Sequence, residues 1–483
     1  MRHPIFALRV GVLPTVLLWS ICFASVCALA QEDGTPPLRV TNYNGGETID
    51  YPVALLYGTL ADAGATEIVC ENKSSQKASR IIKGSAFKGK FKVLAELVPG
   101  VNQLEIRSGD FYQALEIRYE RNQNPTVVRI IYMTDSSGET LYQTPIENDA
   151  QNFREKLDAA MKIMQTFTAE RMNDLGFGRN TFNIELDDKG DVIVHVFKGK
   201  RTAEEYYALP DQQWYRVVME EIREEFPMDN ARNLVIPAYT RFDPEQKRPL
   251  GHTALGGGGG LALFGSGDLF TWANNLNDVV RAFEDSTPID STQFFDDSVG
   301  RTCHWGAYST TLGAALHEVG HTFFLPHSNM PHDIMTRGHD RINRVFIVRE
   351  APSQSNPNWY EFRDDEVACF VPMSAYALVR QRWFVDEEKT LEEMGELKVE
   401  LNAKENKIEC ESPEGVFYAR CFAGERAHWF YGAPLDGETP TKISFDIADI
   451  LKDVPKELES WEFMVMNAKG ATRYMGVKTI NRK

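Results

Sequence analysis

The chain has 483 residues, 43% of them hydrophobic and 25% charged, the balance of an ordinary folded protein and not of a long disordered one. Its 69 acidic residues outnumber 52 basic ones, a formal net charge of −17, and such a surface repels phosphate backbones, so no nucleic-acid partner is expected. The length exceeds what one hydrophobic core serves.

Arg2 and Arg9 flank an n-region, an apolar run extends from Val10 to Cys27, and Ala28-Leu29-Ala30 supplies a small-x-small cleavage site before Gln31. Residues 1–30 are read as a signal peptide, and Pro14 inside the run argues against an uncleaved anchor. Their removal leaves 50 basic against 69 acidic residues, net −19, on a secreted or periplasmic protein with no membrane span in its mature form. Five cysteines remain, and their spacing matches no zinc ribbon or redox motif. Cys410 and Cys421 flank the turn candidate ESPEG and are the nearest pair for a disulfide.

From Leu38 to about Glu120 short β runs alternate with turn residues, which predicts an immunoglobulin-like β-sandwich over 31–122. RNQNP at 121–125 reads as a linker. The next region, 123–388, opens with TVVRIIYMT, a buried strand. Phe153, Leu157, Met161, Met164, Phe167, Met172 and Leu175 then recur at three- to five-residue steps, the mark of a long amphipathic helix. A hairpin-like pair, TFNIELDDKGDVIVHVF, a helix near 211–226 and the strand NLVIPAYT follow, so this region is expected to be an α/β sheet domain. The acidic stretch DEEKTLEEMGE then links to a strand-rich segment, 389–483, read as a second small β-sandwich.

The chemistry concentrates in LHEVGHTFFLPH, residues 316–327. Ser309 is a candidate cap for a helix starting near Thr310, with Leu312, Leu316, Val319 and Phe323 as its apolar stripe. His317 and His321, at i and i+4, lie on one face and reach a common zinc ion, while Glu318 sits one step round, placed to take a proton from a water. Five of the ten histidines fall between His317 and His339. Upstream, LGGGGGLALFGSG joins a glycine run to an apolar strand; no Lys-Ser/Thr follows, so it is not a phosphate loop. It reads either as a surface turn or as a sheet edge open to an extended peptide.

HEVGHTFFLPH followed by IMTRG resembles the metzincin clan of zinc peptidases, whose signature is H-E-x-x-H-x-x-G-x-x-H with a downstream Met-turn. The wider string from Trp305 to Gly338 is similar to a little-characterised group of zinc peptidases also found in fungi. The resemblance covers about residues 126–385 and implies a metzincin-like α/β domain, a mixed sheet with a zinc-binding active-site helix, flanked by the two sandwiches. It implies Zn2+ as cofactor, held by His317, His321 and His327, with Met335 as the Met-turn methionine and Glu318 as general base. His332 is the rival third ligand. The family glycine between the second and third histidines is Phe324 here, and Leu325-Pro326 is expected to end the helix in its place. Some members carry a tyrosine two residues after the methionine; Arg337 stands there, either to steady an oxyanion or to anchor the turn. His304 lines the cleft or packs, and His339 lies beyond the ligands. SAYALVRQRWF, with Ser374 as cap, fits a late helix of the domain.

The leading function is then an exported zinc endopeptidase acting on protein or peptide substrates, glycan-bearing ones included. Two alternatives stand beside it: a zinc-holding adhesion or binding protein without catalysis, and a gluzincin-like site using Glu350 or Glu366 as third ligand.

Overall fold

Residues 38–119 form an eight-stranded sheet in the computed structural model, which describes residues 37–385, 393–458 and 460–478. The signal-peptide reading of 1–30 and part of the acidic linker lie outside the described residues. The strands bond in one continuous order, from Leu38–Val40 at one end to Glu47–Ile49 at the other. The Val40 N–H donates to Gln113 Oε1 at 2.7 Å, which ties the first strand to the one next to the far edge. Leu56, Ile68, Phe91, Ile106 and Ile117 fill the interior, since alternate residues of each strand point to one face.

The central region is built on a five-stranded sheet. Its elements are β1 (Val127–Thr134), α1 (Phe153–Asp174), β2 (Val194–Lys198), α2 (Asp211–Glu225), β3 (Ala231–Pro237), β4 (Ala254–Gly256) and β5 (Leu261–Phe264). The order across the sheet is β2-β1-β3-β5-β4; the first four strands run parallel, and β4 alone is antiparallel, at the edge. β1 and β3 are apolar on both faces because both faces are covered. Ile130 and Tyr132 of β1 face α1, whereas Ile131 and Met133 face Trp214, Val218 and Ile222 of α2. Each such side chain, fully buried, contributes roughly 1.5–3 kcal/mol. The predicted hairpin at 181–197 is reduced to one antiparallel bridge, Leu186 with Val192, and its second half pairs instead with β1.

α1 departs from the amphipathic reading in an instructive way. Its polar face is buried too, against the N-terminal sheet. Thr166 donates to the Val53 carbonyl at 2.8 Å, Lys162 meets Glu96 at 3.0 Å, and Glu170 accepts from Tyr43, Tyr51 and Arg179. Buried charges are expensive unless paired and hydrogen-bonded, and along this helix each is.

α3 (His304–Thr322) packs on the same sheet face as α1, through Leu312, Ala315, Leu316 and Val319. It begins at His304 with Cys303 at the N-cap, not at Ser309. Ser309 lies inside it, its hydroxyl donating to the Asp340 carbonyl at 3.0 Å and meeting Asn343 at 2.9 Å. α4 (Pro372–Leu378) likewise starts two residues before Ser374, because Pro372 takes the first helical position.

The C-terminal segment forms two antiparallel sheets, of three and four strands, around one core containing Ile408, Phe445, Trp461 and Phe463. Cys410 sits in the three-stranded sheet and Cys421 in the four-stranded one, each a free thiol, so the expected disulfide is not formed. Residues flanking a turn in sequence were placed in different sheets.

Candidate metal centre

The candidate ligands come from one helix and the loop after it. On α3, His317 and His321 project from one face, their rings 4.6 Å apart and nearly perpendicular. The Nε2 atom of His327 lies 3.2 Å from the Nε2 of each. Among the described residues these three form the one group of His, Cys, Asp or Glu side chains close enough to share an ion.

The chain fixes which nitrogens face inward. His317 Nδ1 is 2.8 Å from the Ile334 carbonyl, and His321 Nδ1 is 2.8 Å from the Leu325 carbonyl. A carbonyl only accepts, so each Nδ1 carries the proton and each Nε2 presents a lone pair to the centre. Burial, first of all, holds His317 at a pKa of about 2 and His321 at about 4, and it lowers His327 as well. Neutral imidazoles are what a metal ion requires. Tetrahedral coordination at the usual zinc–nitrogen length of 2.0–2.1 Å puts ligand nitrogens about 3.3 Å apart, which fits the 3.2 Å found here.

The loop solves its departure from the glycine pattern differently from expectation. α3 ends at Thr322, Phe323 is its C-cap, and Phe324 itself occupies the left-handed region at φ 61°. The Phe324 N–H bonds the His321 carbonyl and the Leu325 N–H bonds the Gly320 carbonyl, closing a Schellman turn around a phenylalanine. Pro326 therefore follows the reversal and does not cause it. The Phe324 ring lies over Gly258, where a β-carbon would meet it at 2.2 Å. Gly258, within the glycine run, leaves the space this ring needs.

Met335 is fully buried beneath the helix, and a β-carbon on Gly320 would come 2.5 Å from its Sδ. Glu318 is nearly buried, which pushes its pKa up to about 8, while a hydrogen bond from the Gly256 N–H pulls the other way. Gly256 ends β4, the exposed edge of the sheet, so the carboxylate is moored to the strand that runs beside the histidines.

The remaining candidates lie apart from the triad. His332 Nδ1 is bonded to Arg341 at 2.7 Å. Glu350 is paired with Arg344, and Glu366 with Tyr360. Arg337 grips Asp340 through both Nε and Nη2, which anchors the turn. His304 meets Asp285 at 3.3 Å and packs on Phe270. His339 stands 5.4 Å from the His317 ring, outside the ligand set.

The far wall comes from residues distant in the chain. A cavity of about 650 Å³ opens beside His321 and His327, bounded by Gly258 and Phe324 on one side and by Arg420, Phe422 and Tyr474 of the C-terminal sheet on the other. No local pattern marks those residues as neighbours of a metal site.

The chain resembles known proteins over part of its length. A family model described as "Putative peptidase family" matches residues 37–419. A protein named "Putative zinc metalloproteinase" from Schizosaccharomyces pombe is 29% identical over 280 residues, 54% of this chain and 45% of its own length. One of the same description from Saccharomyces cerevisiae is 27% identical over 300 residues, 54% of this chain and 42% of its own. The matched stretch thus spans less than half of these curated relatives. Among solved structures, wild-type OgpA from Akkermansia muciniphila superposes with a TM-score of 0.45 at 16% identity, over 74% of this chain and 93% of that one.

Proposed function

We infer that this chain, which belongs to the peptidase family whose model spans residues 37–419, is an exported, metzincin-like zinc endopeptidase flanked by two β-sandwich domains. The observation that carries the reading is the convergence of three neutral imidazoles beside a carboxylate moored to an open sheet edge.

His317, His321 and His327 would hold Zn2+, with Met335 as the apolar floor beneath them. Zinc, when bound, supplies Lewis acidity toward a water and a peptide carbonyl. Glu318 accepts the proton of the attacking water and passes it to the leaving amine. A cation held by the three imidazoles would lower the Glu318 pKa from its metal-free value by direct attraction, so that the carboxylate would be ready to act as a base. An extended peptide adds to the free edge of β4, its backbone groups pairing where, among the described residues, no strand does. That places its carbonyls along the Gly256 side of the histidines.

The test is elemental analysis of purified protein together with cleavage of casein and of a diverse peptide library, with and without a chelator. One zinc per chain and chelator-sensitive cleavage support the proposal. Protein that holds zinc yet cleaves nothing refutes it in favour of a catalytically silent binding protein.

A further inference from the structure

The left-handed turn at Phe324 is held from another domain. Arg420, on the strand Val416–Ala423, donates from Nη1 to the Phe324 carbonyl at 2.9 Å. Arg426, on the adjacent strand, donates from Nη1 to the Ser328 carbonyl at 2.9 Å and to Asn329 Oδ1 at 3.2 Å. The Ala427 N–H donates to the His327 carbonyl at 3.2 Å, and His327 and Arg426 form a parallel β-bridge. Both ends of the segment 324–328 are therefore fastened to one strand pair of the C-terminal domain.

Two features show that these bonds are more than incidental packing. Arg420 is only 5% exposed, and among the described residues no carboxylate lies within ion-pairing distance of it. A buried guanidinium without a counter-charge is expensive, and here its donor is directed to one backbone carbonyl. That carbonyl belongs to the residue whose backbone is the least comfortable of the loop, a phenylalanine at φ 61°. The same turn carries the Leu325 carbonyl that orients His321, and it launches His327. Two of the three imidazoles thus depend on its shape.

We propose that the C-terminal domain is a working part of the metal centre, and that Arg420 is a positioning residue which holds the Phe324 turn so that His327 and His321 meet the ion. The proposal rests on the zinc reading above. Arg420 touches neither metal nor substrate; it acts through the turn.

The test measures zinc affinity by competition with a chromogenic chelator, on the full chain. Arg420→Ala should weaken zinc about 10–100-fold, the usual loss when a partner that orients a ligand is removed. Made in a Phe324→Gly background, where the left-handed turn needs no help, the same substitution should cost at most about twofold, the tolerance for independent sites. An equal loss in both backgrounds would mean general destabilisation and would overturn the proposal, as would an unchanged affinity in Arg420→Ala. Should Arg420→Ala fail to fold, Arg426→Ala, at an exposed side chain, takes its place: several-fold weaker zinc supports the clamp, and unchanged affinity overturns it. Wild-type protein that binds no zinc removes the zinc reading and the clamp with it, whereas wild type that binds zinc while the variants match it removes only the clamp.

Discussion

A β-carbon on Gly256 would lie 2.2 Å from the carbonyl oxygen of Glu318, and the Gly256 N–H reaches the Glu318 carboxylate. The edge strand and the helix are in backbone contact at the residue expected to act as base. Gly256→Ala must push β4 off α3, at a cost of about 1–3 kcal/mol for an overpacked contact. The three imidazoles are untouched. We expect kcat to fall with zinc content unchanged, read by elemental analysis alongside peptide hydrolysis; full activity in Gly256→Ala would show that the mooring is dispensable.

Glu318→Gln keeps the side chain's shape and removes its ability to accept a proton. Zinc content should stay at the wild-type level, and hydrolysis should fall about 10²–10⁴-fold, the usual contribution of a general base. A glutamine variant as active as wild type would rule out Glu318 as the base.

His327→Ala leaves two protein ligands, so bound zinc should drop well below one per chain. His332→Ala should leave it intact, because that ring is engaged with Arg341 and lies outside the triad. The opposite result would reassign the third ligand.

The metal-free protein should show a specific pH signature. In the folded state burial raises the Glu318 pKa from 4.5 to about 8, so the native protein keeps a proton that the unfolded chain releases between those values. Stability from this group is present below pH 4.5 and lost as pH rises toward 8. His317 and His321 act oppositely: their folded pKa values, about 2 and 4 against an ordinary 6.5, make stability fall as pH drops below 6.5. Glu318→Gln removes only the first slope. The melting temperature of the chelated variant, minus that of chelated wild type, should therefore increase from pH 5 to pH 8; a flat or declining difference contradicts a Glu318 pKa raised by burial.

All five cysteines of residues 31–483 are free, and burial raises the thiols of Cys70, Cys410 and Cys421 to about 12 and those of Cys303 and Cys369 to about 11. Thiolates are scarce at such values, so an aromatic disulfide reagent should react slowly with these five thiols in the native protein and with all five of them after denaturation. Peptide mapping that finds Cys410 bonded to Cys421 would refute the assignment.

Local periodicity made much of this legible. The four-residue spacing of His317 and His321 dictates one helical face, and the steps from Phe153 to Met172 dictate a helix that runs Phe153–Asp174. The β-branched run at 126–134 is a strand whichever neighbours it finds. Boundaries were less legible. Ser309 and Ser374 look like caps in sequence, but each is drawn inside its helix, Ser309 by partners more than thirty residues away.

The sequence by itself determined that His317 and His321 share one face of one helix with Glu318 a step round, because that rests on the fixed rise and turn of an α-helix. Only the tertiary structure decided how the third histidine arrives. The step from His321 to His327 passes through a left-handed residue, a phenylalanine is poor at it, and its carbonyl accepts a hydrogen bond from Arg420, 96 positions further along the chain. The partner of Glu318 is settled in the same manner, by a glycine on a strand edge 62 residues earlier in the numbering. Spacing along the chain carries no signal for such contacts, since they exist only once separate sheets have packed and brought a donor within hydrogen-bonding reach of a particular carbonyl or carboxylate.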